Sequence, residues 1–143
     1  MTAPRRTRLV RQCYACLGPI TYVPGPPGAW LHVDEHGRIE GAGQWRGHLA
    51  EPKFVHGLQL GDRFRFFDGT GTVYGPVATV DTDYMCTDAT IRLAGRAPLY
   101  RHAWSQVEVT QRGPRCACGR PYDRCEAECP WPDAIEELWA SRY

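Results

Sequence analysis

Between positions 13 and 36 the chain reads Cys13-Tyr14-Ala15-Cys16-Leu17-Gly18-Pro19 and then, after a long gap, His32-Val33-Asp34-Glu35-His36. Two thiolates three positions apart can grip one ion from a tight knuckle, and Gly18-Pro19 supplies the turn that closes it. Two imidazoles four positions apart reach the same ion if they share a helical turn or flank a tight turn. The sequence therefore predicts a zinc site made of Cys13, Cys16, His32 and His36, with His48 and His56 as alternatives to His36. The gap contains Pro24-Gly25-Pro26-Pro27-Gly28 where a ββα finger would carry its recognition helix. Proline lacks the amide proton that helices and ladders use, so a ligand set is expected here without a base-reading finger.

A second group lies near the C-terminus: Cys116, Cys118, Cys125 and Cys129, interleaved with Gly119, Pro121 and Pro130. Four closely spaced thiolates can wrap one tetrahedral ion. Disulfides and an iron–sulfur cluster use the same residues. Zinc is preferred because Arg120, Asp123, Arg124, Glu126 and Glu128 leave no apolar shell of the kind that shields a redox cluster. Cys86, in a β-rich stretch, reads as a buried small apolar residue rather than a nucleophile.

Composition agrees with a metal-built protein. The chain has 143 residues, of which 15 are Gly and 12 are Pro, so many positions go to turns rather than to a continuous core. Small modules of that kind need disulfides or metal, and the compartment selects between them. No apolar stretch follows Arg5, Arg6 and Arg8, and none elsewhere is long enough to span a bilayer. The expectation is a soluble protein of the cytoplasm, in a bacterial cell or a phage-infected host, with reduced cysteines free to hold metal. Net charge is only +1, which gives no general pull toward nucleic acid. The one dense basic run is Arg5, Arg6, Arg8 and Arg11, an arm suited to phosphate contacts.

Three segments separate by composition: 1–52 with the first ligand set and the basic arm, 53–112, and 113–143 with the four clustered cysteines. The middle segment reads as strands. Arg63-Phe64-Arg65-Phe66 alternates, Asp68-Gly69-Thr70-Gly71 makes a turn, and β-favouring residues recur at 72–80, 84–93, 99–101 and 106–110. About five short strands suggest a small closed barrel. After Pro132-Asp133, Ile135, Leu138 and Trp139 fall on one face of a short helix whose first turns are acidic. The predicted fold class is mainly β: a small barrel flanked by two zinc-knuckle modules, with a short C-terminal helix.

In strand number, strand length and the Gly61-Asp62 turn before its first strand, the middle segment resembles the SH3-like barrels. Those barrels bind peptides, nucleic acids or polymerase subunits, so the resemblance implies an interaction module without naming its partner. Over residues 11–36, where Cys13 and Cys16 precede Trp30-Leu31-His32, the chain resembles small zinc-knuckle proteins of actinobacteria and their phages. That implies a setting more than an activity.

His32-Val33-Asp34-Glu35-His36 also spells the inverted metalloprotease motif H-x-x-E-H. Hydrolysis would need a helix through the motif, an open coordination position and a third ligand such as Glu108, whereas Gly37 follows at once and Cys13 with Cys16 would close the site. The functional expectation is thus a non-catalytic, zinc-stabilised adaptor or regulator of a nucleoprotein machine serving transcription, replication or recombination. A protein partner is expected, with nucleic acid reached through the N-terminal arginines. A protein-only assembly module is the alternative, and a zinc hydrolase the third reading.

Overall fold

A computed structural model describes residues 9–40, 47–67 and 70–143. Two compact units divide the chain, Met1–Lys53 and Phe54–Tyr143. The predicted arm residues Arg5, Arg6 and Arg8, and Asp68 and Gly69 of the predicted turn, lie outside the described residues.

In the first unit the chain forms an antiparallel meander, β1 (Val10–Gln12), β2 (Pro19–Val23) and β3 (Ala29–His32). The Cys13–Gly18 knuckle is the turn between β1 and β2, and the Pro/Gly stretch is the turn between β2 and β3. This sheet was not foreseen in the sequence, because β1 and β3 are too short to show an alternation. Ile20 and Thr21 are buried on β2, and the Thr21 hydroxyl donates to the Leu9 carbonyl.

The second unit holds five antiparallel strands: β4 (Arg63–Phe66), β5 (Val77–Thr82), β6 (Asp88–Leu93), β7 (Leu99–His102) and β8 (Val107–Gln111). Their positions follow the predicted β-favouring runs, except that residues 83–87 form the β5–β6 turn and Tyr74 joins only through an isolated bridge to Phe64. The alternation read in β4 is real: Phe64 and Phe66 are buried, and Arg63 and Arg65 face outward. The closed barrel is not formed. Strand β4 pairs with β8, while β5, β6 and β7 make a separate sheet, so the described ladders leave open edges.

Helix α1 (Asp133–Ala140) starts where the Pro132-Asp133 signal places it. Its Ile135 and Leu138 pack with Leu60 and with Ala78 of β5, and Tyr122, Trp131 and Trp139 close over that cluster. The clustered cysteines therefore belong to the same unit as the strands. Gly113 crosses the chain at Gly61 so closely that any Cβ would fall onto the Leu60 carbonyl. That approach lets the buried Asp62 carboxylate accept from the amides of both Gln59 and Gly113.

Candidate metal centres

The N-terminal cluster is built on the turn leaving β1. The Cys13 amide donates to the Gly18 carbonyl at 2.8 Å and the Leu17 amide to the Cys13 carbonyl at 3.0 Å. Leu17 takes a left-handed conformation, φ 58°, which folds the chain back so that the Gly18 amide points at Cys16 Sγ, 3.4 Å away. His32 ends β3 and is buried beside β2 through the Ile20–His32 pairing.

The fourth member of the group is His48, offered by the sequence as an alternative to His36; His36 does not join it. Residues 49–53 return alongside the knuckle: the Tyr14 amide donates to Glu51, the Lys53 amide to Gln12, and Cys13 bridges to Pro52. That path sets His48 against Tyr14 edge to face and brings its Nε2 to 3.1 Å from His32 Nε2. His36 sits instead on the turn after β3. The Asp34 carboxylate accepts from the amides of His36 and Arg38, Gly37 turns at φ 76°, and the His36 ring points to solvent against Glu35. The turn signal was legible as an Asp followed three positions later by Gly. His56, the other alternative, stacks on Phe54 in the second unit.

The C-terminal cluster uses a different loop with the same device. The Cys116 amide donates to the Arg120 carbonyl and the Gly119 amide to the Cys116 carbonyl, with Gly119 at φ 84°. In both loops the left-handed residue directly follows the second cysteine. A 3-10 turn at Tyr122–Arg124 then delivers Cys125, and Glu128 at φ 53° turns the chain into Cys129. Arg115 ties the loop to the rest of the unit through a hydrogen bond to Gln59 at 2.8 Å. All four predicted cysteines converge.

The thiols of this cluster divide into two pairs. Cys116 is lowered to about 6, chiefly by a hydrogen bond from the Cys118 thiol with help from the backbone amides of Cys118 and Arg120, against the effect of burial. Cys125 is lowered by the Cys129 amide. Cys118 is raised by its hydrogen bond to Cys116, and Cys129 is raised to about 11 by its hydrogen bond to Cys125 and by burial.

Both donor sets fit zinc. In each cluster the four ligand atoms lie within 4.8 Å of one another. Tetrahedral zinc, with bonds of roughly 2.05 Å to nitrogen and 2.3 Å to sulfur, needs N–N and S–S edges of about 3.3 and 3.8 Å. The 3.1 Å between His32 and His48 and the 3.5 Å between Cys118 Sγ and Cys125 Sγ are close to those edges. No other such group occurs among the described residues. Of the predicted arm, Arg11 lies on β1 with its guanidinium donating to the Val10 carbonyl. No described helix is long and apolar enough to cross a membrane. Searches of family models, curated proteins and solved structures return no match to this chain.

Proposed function

We propose that this chain is a non-catalytic, zinc-stabilised adaptor or regulator that joins a protein partner to a nucleoprotein machine. The observation that carries the reading is that each cluster gathers four ligand atoms within 4.8 Å. Four protein ligands complete a tetrahedral zinc and leave no position for a reactive water, as in purely structural sites. The same narrow span favours single ions over a multi-iron cluster. Against hydrolysis, residues 33–39 form a hairpin turn closed by a Val33–Ile39 bridge, so His32 and His36 do not share the helix that the metalloprotease motif requires.

The SH3-like reading of the second unit draws support from the β4–β8 pairing, which joins the first and last of five strands as barrel closure requires. The nucleoprotein partner draws support from the exposed aromatics Tyr100 and Trp104, which offer faces on which bases can stack. The cytoplasmic, phage-related setting rests on the sequence resemblance.

The test joins a pulldown from the native cell to binding assays with single-stranded DNA and RNA across a salt series. The expected result is a specific protein partner, together with modest, salt-dependent nucleic-acid binding. That binding should be lost when Arg5, Arg6, Arg8 and Arg11 are replaced by Ala while the partner is kept. Binding that survives this change and is lost in Tyr100→Ala/Trp104→Ala moves the nucleic-acid contact onto the strands. A protein partner with no nucleic-acid affinity selects the protein-only module, and peptide cleavage by the zinc-loaded chain refutes the non-catalytic reading.

A further inference from the structure

We infer that Cys118 and Cys125 form a peroxide-sensitive thiol pair whose oxidation to a disulfide opens the C-terminal metal site while the N-terminal site stays intact. The inference deepens the structural-zinc reading and rests on it. It stands on a difference between two otherwise parallel clusters.

Cys118 is an exposed residue and its Sγ lies 3.5 Å from that of the half-buried Cys125, so the most accessible cysteine of the cluster has a resolving sulfur beside it. In the N-terminal cluster the counterpart is withdrawn. Cys13 has no exposed surface, Cys16 is half-buried, and the other two ligands are histidines, which cannot enter a disulfide. Thiol oxidation follows thiolate character and access. Metal binding keeps all the cysteine ligands deprotonated, so access decides which cluster reacts.

The chemistry balances with hydrogen peroxide as the oxidant. The Cys118 thiolate attacks one peroxide oxygen; the S–O bond forms, the O–O bond breaks, and hydroxide leaves and takes a proton to become water. The Cys125 thiolate then attacks the Cys118 sulfur of the sulfenic acid; the S–S bond forms and the S–O bond breaks, releasing a second hydroxide that is likewise protonated. Two thiolates, one peroxide and two protons become one disulfide and two waters. The two sulfurs have lost two electrons, and Cys116 and Cys129 remain as the only thiolate ligands, too few for structural zinc.

The experiment uses the full chain. Zinc is counted first, and a chain holding no zinc refutes the metal reading without touching the thiol pair. Hydrogen peroxide is then added with a chromophoric zinc chelator present, and samples are blocked with N-ethylmaleimide, digested and sequenced by mass spectrometry. The expected result is release of one zinc of the two per chain, with a disulfide between Cys118 and Cys125 that dithiothreitol and added zinc reverse. A second arm oxidises chain stripped of metal, where the same pair should close ahead of Cys13 and Cys16. Release of both ions together, retention of both, or first closure of any other cysteine pair overturns the inference.

Discussion

His32 and His48 face each other Nε2 to Nε2 at 3.1 Å, sixteen positions apart in the chain. Two ring nitrogens that close need a proton or an ion between them, and with the thiols of Cys13 and Cys16 beside them the four residues form a group that could hold a metal ion. His48→Ala is expected to lower zinc content by one ion per chain, while His36→Ala leaves it unchanged. Elemental analysis of the two variants decides, and the opposite ranking would return the fourth position to His36.

Cys118→Ser removes one of the four clustered sulfurs of the C-terminal loop. Structural zinc supplies on the order of 10 kcal/mol in small modules. Loss of one zinc and of amide protection through residues 115–130 is expected, with the N-terminal unit unaffected. Hydrogen exchange reads both; an unchanged exchange pattern would show that the four cysteines are not structural.

The divided thiols set how metal loading depends on pH. At pH 7 a Cys116 thiol lowered to about 6 is already a thiolate, whereas Cys129, raised to about 11, still carries its proton. Loading the C-terminal site at pH 7 should therefore release about three protons or fewer, not four, because bound thiolates give up every proton they hold. Below pH 6 Cys116 regains its proton, the count rises, and affinity falls more steeply. Calorimetry of the Cys13→Ser/Cys16→Ser chain in buffers of different protonation enthalpy gives the count, and a release of four at pH 7 would contradict it.

Glu35→Gln removes the would-be base of the H-x-x-E-H motif. Glu35 is exposed on the turn after β3, with its carboxylate 3.5 Å from the His36 ring. Metal content and melting temperature should match the parent, the change being a surface one worth within about 0.5 kcal/mol. Peptidase activity present in the parent and absent in this variant would refute the structural account of the site.

Asp62→Ala tests the crossing that holds the second unit together. Two backbone donors, from Gln59 and Gly113, lose their acceptor in a buried place. At roughly 1–3 kcal/mol for each of the two orphaned groups, a loss of about 2–6 kcal/mol is expected. Denaturant unfolding measures it, and a change under about 1 kcal/mol would mean that water reaches both amides.

By itself the sequence determined what is local. Each cysteine knuckle is one tight loop whose hydrogen bonds close within a few residues, so spacing and the neighbouring Gly and Pro suffice to find it. The same holds for the alternation of Phe64 and Phe66 and for the helix that begins at Pro132-Asp133, both set by a period within one element. Only the tertiary structure decided which histidine completes the first cluster. The turn at Asp34-Gly37 carries His36 into solvent, and the return of residues 49–53 beside the knuckle supplies His48, an outcome of long-range backbone pairing that no spacing encodes. It also decided that five strands divide between two sheets. Closure depends on the ladder partners of every edge strand, and those partners are distant in the chain.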